Sequence, residues 1–138
     1  ERRYNAVLVS GSEHAWTVHL PQRDGPLVEQ DVRAGIDASE ASRHAFDSDI
    51  AAIRGCDVLV AVLDGRALDE GVCIEMGYAK ALGRVIVAFK SDERTALPWG
   101  NNPMIDGCVD AWIRSADELL TWVERHAKRM KGGAEFAD

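Results

Sequence analysis

A chain of 138 residues has room for one domain with a sizeable core and not for two, because most domains run to ~100–150 residues. Sixteen Lys and Arg against 23 Asp and Glu leave a formal charge of −7, which argues against coating a nucleic-acid polymer or an anionic membrane. With 46% hydrophobic and 28% charged residues the composition is globular, and the longest apolar run, Val58–Leu63, is far short of the ~20 residues of a membrane span, so neither a membrane helix nor a signal peptide is expected.

In chain order, the first apolar run is Ala6-Val7-Leu8-Val9. It lies only six residues before Trp16, whereas a crossover between parallel strands takes a dozen or more. A helix is therefore expected there, despite the β-branched residues and Gly11. Four segments read as strands: Trp16–Leu20, Val58–Leu63, Val85–Phe89 and Val109–Ile113. The middle two are continuously apolar, as strands buried on both faces of a parallel sheet are. Pro21–Pro26 reads as a loop.

Helical periodicity runs from Ala38 to Ile53 through Ala41, Ala45, Phe46 and Ile50, with Ser39 as candidate N-cap and Gly55 as candidate C-cap. A second helix is expected from Gly71 to Leu82, stopped by Gly83, and a third from Ala116 to Met130. Residues 132–138 are expected as a flexible tail on a single domain of residues 1–131. Strands alternating with helices imply an α/β, flavodoxin-like, doubly wound parallel sheet. In that order the first strand stands at the centre, and here it is apparently lacking. Either residues ahead of Glu1 supply it or Ala6–Val9 takes its place.

Cys56, Cys73 and Cys108 are odd in number and widely spaced, which fits reduced thiols in the cytoplasm rather than a disulfide framework or a zinc site. His14, His19, His44 and His126 have no second ligand at helical or strand spacing, so surface or capping places are expected for them, and no metal and no cofactor. The acidic residues are more informative. Asp64 ends one strand, Asp69 and Glu70 open the next helix, and Glu75 lies inside it. Ligands of parallel α/β sheets bind beyond the carboxyl ends of the strands, so these carboxylates are expected to share a crevice. Crowded carboxylates repel, which raises some of their pKa values and can yield a nucleophile and an acid from one residue type. By pattern alone, Glu75 is either an ordinary glutamate on the solvated helix face or, with Tyr78, Ala79 and Leu82 at i+3, i+4 and i+7, a residue turned inward.

The stretches Cys56-Asp57-Val58-Leu59-Val60-Ala61-Val62-Leu63-Asp64-Gly65 and Asp69-Glu70-Gly71-Val72-Cys73-Ile74-Glu75-Met76-Gly77-Tyr78-Ala79-Lys80-Ala81-Leu82-Gly83-Arg84 resemble the signature of nucleoside 2-deoxyribosyltransferases. Leu20-Pro21-Gln22-Arg23-Asp24-Gly25 resembles the loop after that family's second strand, and Asn101-Asn102-Pro103-Met104 its Asn-x-Met segment. The resemblance spans roughly residues 1–125. It implies that Glu75 is the nucleophile, which attacks the anomeric carbon of deoxyribose, expels the base and holds the sugar as an ester until a second base arrives, with net retention.

The same resemblance makes Asp49 and Asp69 the two site aspartates, holding substrate and helping to protonate the leaving base. It makes Gln22 a base contact, Gly71 part of the substrate loop, and Asn102 and Met104 residues that reach into a neighbouring subunit's site. The implied partners are a nucleoside and a free nucleobase in a homo-oligomer with shared active sites, serving nucleoside salvage. Val72 departs from the family, where Thr is frequent, and the family's first-strand aromatic hydroxyl has no counterpart. Two readings stand beside transfer: an N-glycosidase acting on nucleosides or their 5′-monophosphates through the same ester, and a nucleotide-binding module without catalysis. Local readings also stand for three residues, Asp49 as an exposed helix residue, Asp69 as a helix cap and Asn102 as a turn before Pro103.

Overall fold

The computed structural model describes residues 6–12 and 15–133. Five strands form one sheet in the order β2-β1-β3-β4-β5: β1 is Ala6–Ser12, β2 Ala15–His19, β3 Val58–Val62, β4 Val85–Phe89 and β5 Ala111–Ile113. Strands β3, β4 and β5 are parallel, and the stretches between them contain the helices α4 (Glu70–Ala81) and α5 (Pro103–Cys108). Thus the α/β architecture with a parallel sheet flanked by helices is as expected.

The N-terminal part differs from expectation. Ala6–Val9 is strand, not helix, and it takes the central place between β2 and β3, pairing antiparallel with both. The dozen-residue minimum applies only to parallel neighbours; antiparallel ones need a two-residue link, and residues 13–14, between β1 and β2, are two. The β-branched residues that weighed against a helix are at home in a strand.

The sheet separates two cores. Leu59, Ala61 and Leu63 face α3 (Ala38–Gly55) and α4, packing with Ile53, Cys56, Val72, Met76, Ala79, Ile86 and Ala88. Val58, Val60, Val87 and Ile113 point the other way, toward Leu119 and Trp122 of α6 (Ala116–Gly133). His126 of α6 stacks on Trp122 at 4.7 Å between ring centroids and stands 6.3 Å from Trp16 of β2, which seats the helix across the sheet.

Boundaries shift where side-chain chemistry decides them. Asp37, not Ser39, caps α3, accepting from the Ser39 and Glu40 amides at 2.9 and 3.3 Å. Gly55 is the last residue of that helix and Cys56 its C-cap. The Pro21–Pro26 loop contains a single turn of helix, α1 (Pro21–Asp24), followed by α2 (Val28–Arg33). Gly25 closes that turn with its amide on Pro21 O at 3.0 Å, and a Cβ there would stand 2.8 Å from the same oxygen, so only glycine fits. Helix α6 continues to Gly133, beyond the expected start of the tail; residues 134–138 lie outside the described residues.

Candidate active site

Helix α4 arranges the chemistry. Val72, Met76 and Ala79 form the stripe buried against the sheet, and the residues on either side of it face different neighbours. Cys73 and Gly77 line one flank with Ile105 and Cys108 of α5. Glu75 and Tyr78, three apart, lie on the other, where the Tyr78 hydroxyl accepts from Arg54 Nε of α3 at 2.7 Å. Glu75 thus faces the α3 side, from which Asp49 comes.

The Glu75 carboxyl is largely buried, and its Oε2 is fully enclosed without a hydrogen-bond partner among the described residues. Burial, then the charges of Asp49 and Asp69, push its pKa up to about 7. Asp49 is likewise raised by burial, against an opposing pull from His19. Of the two alternatives for Glu75, the inward one describes the structure. Leu82, however, is mostly outside the core at 39% exposure, so the inward face is narrower than its spacing implied.

Asp69 holds the first turn of α4. Its Oδ1 accepts from the Val72 amide at 3.1 Å, and a Cβ on Gly71 would stand 3.0 Å from that oxygen. The cap and the influence on Glu75 are therefore one carboxylate with two duties, and Gly71 leaves it room. Asp64 and Glu70 do not join the crevice as expected. Asp64 accepts from the Ser91 amide, Ser91 Oγ and the Asp92 amide at 2.7, 3.0 and 2.8 Å, tying the loops after β3 and β4 together. Glu70 is exposed in the first helical turn.

Gln22 and Asp49 line a cavity of about 480 Å³ with Pro21, Pro26, Leu27 and Val28, and Gln22 Oε1 is enclosed without a partner among the described residues. Asn102 and Met104 stand elsewhere. They line a cavity of about 450 Å³ on the α5 flank of α4, with Cys73 and Gly77, on the side away from Glu75. Asn102 caps α5 through its Oδ1 on the Met104 amide at 2.9 Å, the turn-forming role before Pro103. Met104 is 76% exposed.

Sequence reasoning missed one residue. His19 was expected at the surface or as a cap; instead it is half-buried and acts on Asp49. The strand alternation carried the signal, since Trp16 and Val18 fall on one face and His19 on the other.

The family model for nucleoside 2-deoxyribosyltransferases matches residues 2–130. The chain belongs to that family. A nucleoside deoxyribosyltransferase from Limosilactobacillus fermentum is 28% identical over 103 residues, covering 72% of this chain, and the match spans only 61% of that relative's length. The structure of a 2-deoxyribosyltransferase from Leishmania mexicana superposes with a TM-score of 0.51 at 25% identity, over 62% of this chain and 69% of the other. A CMP N-glycosidase from Clostridium botulinum gives a TM-score of 0.48 at 21% identity, over 61% of this chain and 74% of the other. No helix among the described residues is long and apolar enough to cross a membrane.

Proposed function

We propose that this protein is a nucleoside 2-deoxyribosyltransferase of cytoplasmic nucleoside salvage, exchanging the base of a 2′-deoxyribonucleoside through an ester on Glu75. The observation that carries the reading is the state of Glu75: a half-buried carboxyl whose Oε2 is enclosed without a partner among the described residues, poised near neutrality under the charges of two other carboxylates, at the position that matches the family nucleophile. A surface glutamate would be solvated and ionised well below pH 7.

The chemistry follows from that environment. Ionised Glu75 attacks the anomeric carbon from the face opposite the base, the C–N bond breaks through an oxocarbenium-like transition state, and the base leaves with a proton. Asp49, raised by burial, is the better proton source of the two aspartates, while Asp69 is committed to the Val72 amide. A second base reverses the steps and takes the sugar with net retention. Gln22 and the cavity it shares with Asp49 receive the base, and Gly71 keeps the Asp69 loop close to the substrate.

Asn102 and Met104 line the other flank of α4, so in this reading they serve a neighbouring subunit's crevice in a homo-oligomer. Trp99 and Met104, 78% and 76% exposed, supply the apolar surface that such an interface covers.

Incubation with deoxyinosine and adenine tests the function. Hypoxanthine with deoxyadenosine is the expected product pair, and mass spectrometry with a slow substrate should find a deoxyribosyl adduct on Glu75. Hypoxanthine with free deoxyribose would make the protein an N-glycosidase, and an unchanged nucleoside would leave a binding module.

A further inference from the structure

Residue His19 is used by nothing in the reaction just described, yet its placement is specific. It ends β2, and the register pairs Leu8 with both His19 and Leu59, so His19 shares the sheet face of Leu59, the one covered by α3 and α4. There its imidazole is half-buried and its Nε2 is enclosed with no hydrogen-bond partner among the described residues. Four side-chain atoms among the described residues are in that condition. Three of them are grouped by Asp49: His19 and Glu75 interact with its charge and Gln22 lines its cavity, while the fourth, Arg84 Nε, belongs to a side chain whose Nη2 donates to Arg54 O.

Enclosed polar atoms without partners are costly, and folded proteins keep few of them. Three on separate elements that meet around Asp49 point to a common ligand.

The backbone at His19 is also fixed from both sides. Arg23 Nη2 donates to Val18 O at 2.7 Å, and the Leu20 amide donates to Asp24 Oδ2 at 2.8 Å. Arg23 and Asp24 are themselves joined by two bonds of 2.6 Å, so one ion pair grips the residues before and after the histidine. This is preorganisation of the kind a binding residue needs, since an ordered contact costs less entropy on binding. The cavity that Gln22 shares with Asp49 is mixed: Pro21, Pro26, Leu27 and Val28 offer apolar surface to a flat heteroaromatic ring, and Glu29 and Gln30 add polar groups for its edge.

We propose that His19 is a base-contacting residue of this site: its Nε2 pairs with a ring nitrogen or carbonyl of the nucleobase, beside a base N–H that donates to Gln22 Oε1. The ligand is thus a nucleobase presenting a donor next to an acceptor on one edge. This rests on the reading of the crevice as a nucleoside site, and adds a second recognition point that sets the affinity for the incoming base.

The test uses the whole chain, His19→Leu and His19→Gln, with adenine and hypoxanthine as probes in calorimetric titrations and with transfer kinetics from deoxyinosine to adenine. The amide nitrogen of Gln reaches about where Nε2 stands, so His19→Gln should bind base within several-fold of the wild type. His19→Leu should weaken base binding and raise the KM for adenine by about 10- to 100-fold, while a Glu75 adduct still forms. In the unmutated protein, where folding is not at issue, the imidazole nitrogen resonances of His19 should move on adding adenine.

Unchanged base affinity in His19→Leu, a His19→Gln variant as weak as His19→Leu, or resonances that stay in place would overturn the assignment. A Glu75 adduct with unchanged base affinity would leave the transfer reading standing and remove His19. Base binding that depends on His19 without any adduct would do the reverse, and no base binding by the wild type would remove both.

Discussion

The two flanks of helix α4 carry residues of similar apparent promise and treat them in opposite ways. On the α5 flank, Asn102 spends its side chain on the Met104 amide, and Met104 projects outward. On the α3 flank, Glu75 has its Oε2 enclosed with no partner among the described residues, and feels two like charges. A satisfied polar group in a turn stabilises the fold; an unsatisfied one beside a crevice is held against the fold's own interest. That contrast separates the chemical side of the molecule from its proposed assembly side, and it can be broken or sharpened by substitution.

The largest effect is expected from Glu75→Gln. Loss of the nucleophile should lower transfer by roughly 10⁴-fold or more and abolish the sugar adduct. A variant that keeps most of its activity, measured by product chromatography, would make the two flanks equivalent. Asp49→Asn should lower the rate by about 10²- to 10³-fold through loss of proton transfer. It should also move the acid limb of kcat/KM. Activity requires ionised Glu75 and so rises with pH through about 7; removing Asp49's charge removes one of the two repulsions that add to burial, and the limb should move to lower pH. A limb that stays in place would uncouple the two carboxylates.

Stability gives a readout of the opposite sign. Glu75 in the folded chain titrates at about 7 against an ordinary value of 4.5. Between those values the folded state holds a proton that the unfolded state has lost, so the contribution of Glu75 to stability is intact below 4.5 and is lost as pH rises through about 7. After allowance for solvent screening the loss is about 1–3 kcal/mol. Glu75→Gln avoids that loss and should unfold at higher denaturant than the wild type at pH 8, with the two midpoints converging near pH 4.5. An inactive but stabilised variant is the signature of a carboxylate kept for function.

The smallest effect is expected on the other flank. Asn102→Ala should cost about 1 kcal/mol of stability through loss of the α5 cap, seen as a lower unfolding midpoint. Its activity defect should arise only between subunits. Mixing Glu75→Gln with Met104→Ala should restore part of the transfer activity that each lacks alone, because a mixed oligomer has crevices with both groups intact. No recovery on mixing, or a monomeric mass by light scattering at micromolar concentration, would confine both residues to one chain.

Much was legible in the sequence because local chemistry wrote it there. Val58–Val62 and Val85–Phe89 are strands because short, continuously apolar runs rich in β-branched residues suit a sheet buried on both faces, and the helix before Gly83 ends where a positive φ of 71° is needed. The motif around Glu75 fixed its place on a helix whose buried stripe is read off by counting three and four. What the sequence could not decide was pairing and company. The direction of Ala6–Ser12 depends on which strands lie beside it, and no property of the run itself distinguishes a parallel from an antiparallel neighbour. The meeting of Asp49 and His19 with Glu75, and the diversion of Asp64 to the Ser91 loop, follow from how α3 and the β3 and β4 ends lie against the sheet. Charges separated by tens of residues interact only after the backbone has brought them within a few ångströms, so their pKa values, and with them the chemistry, are set by the tertiary structure.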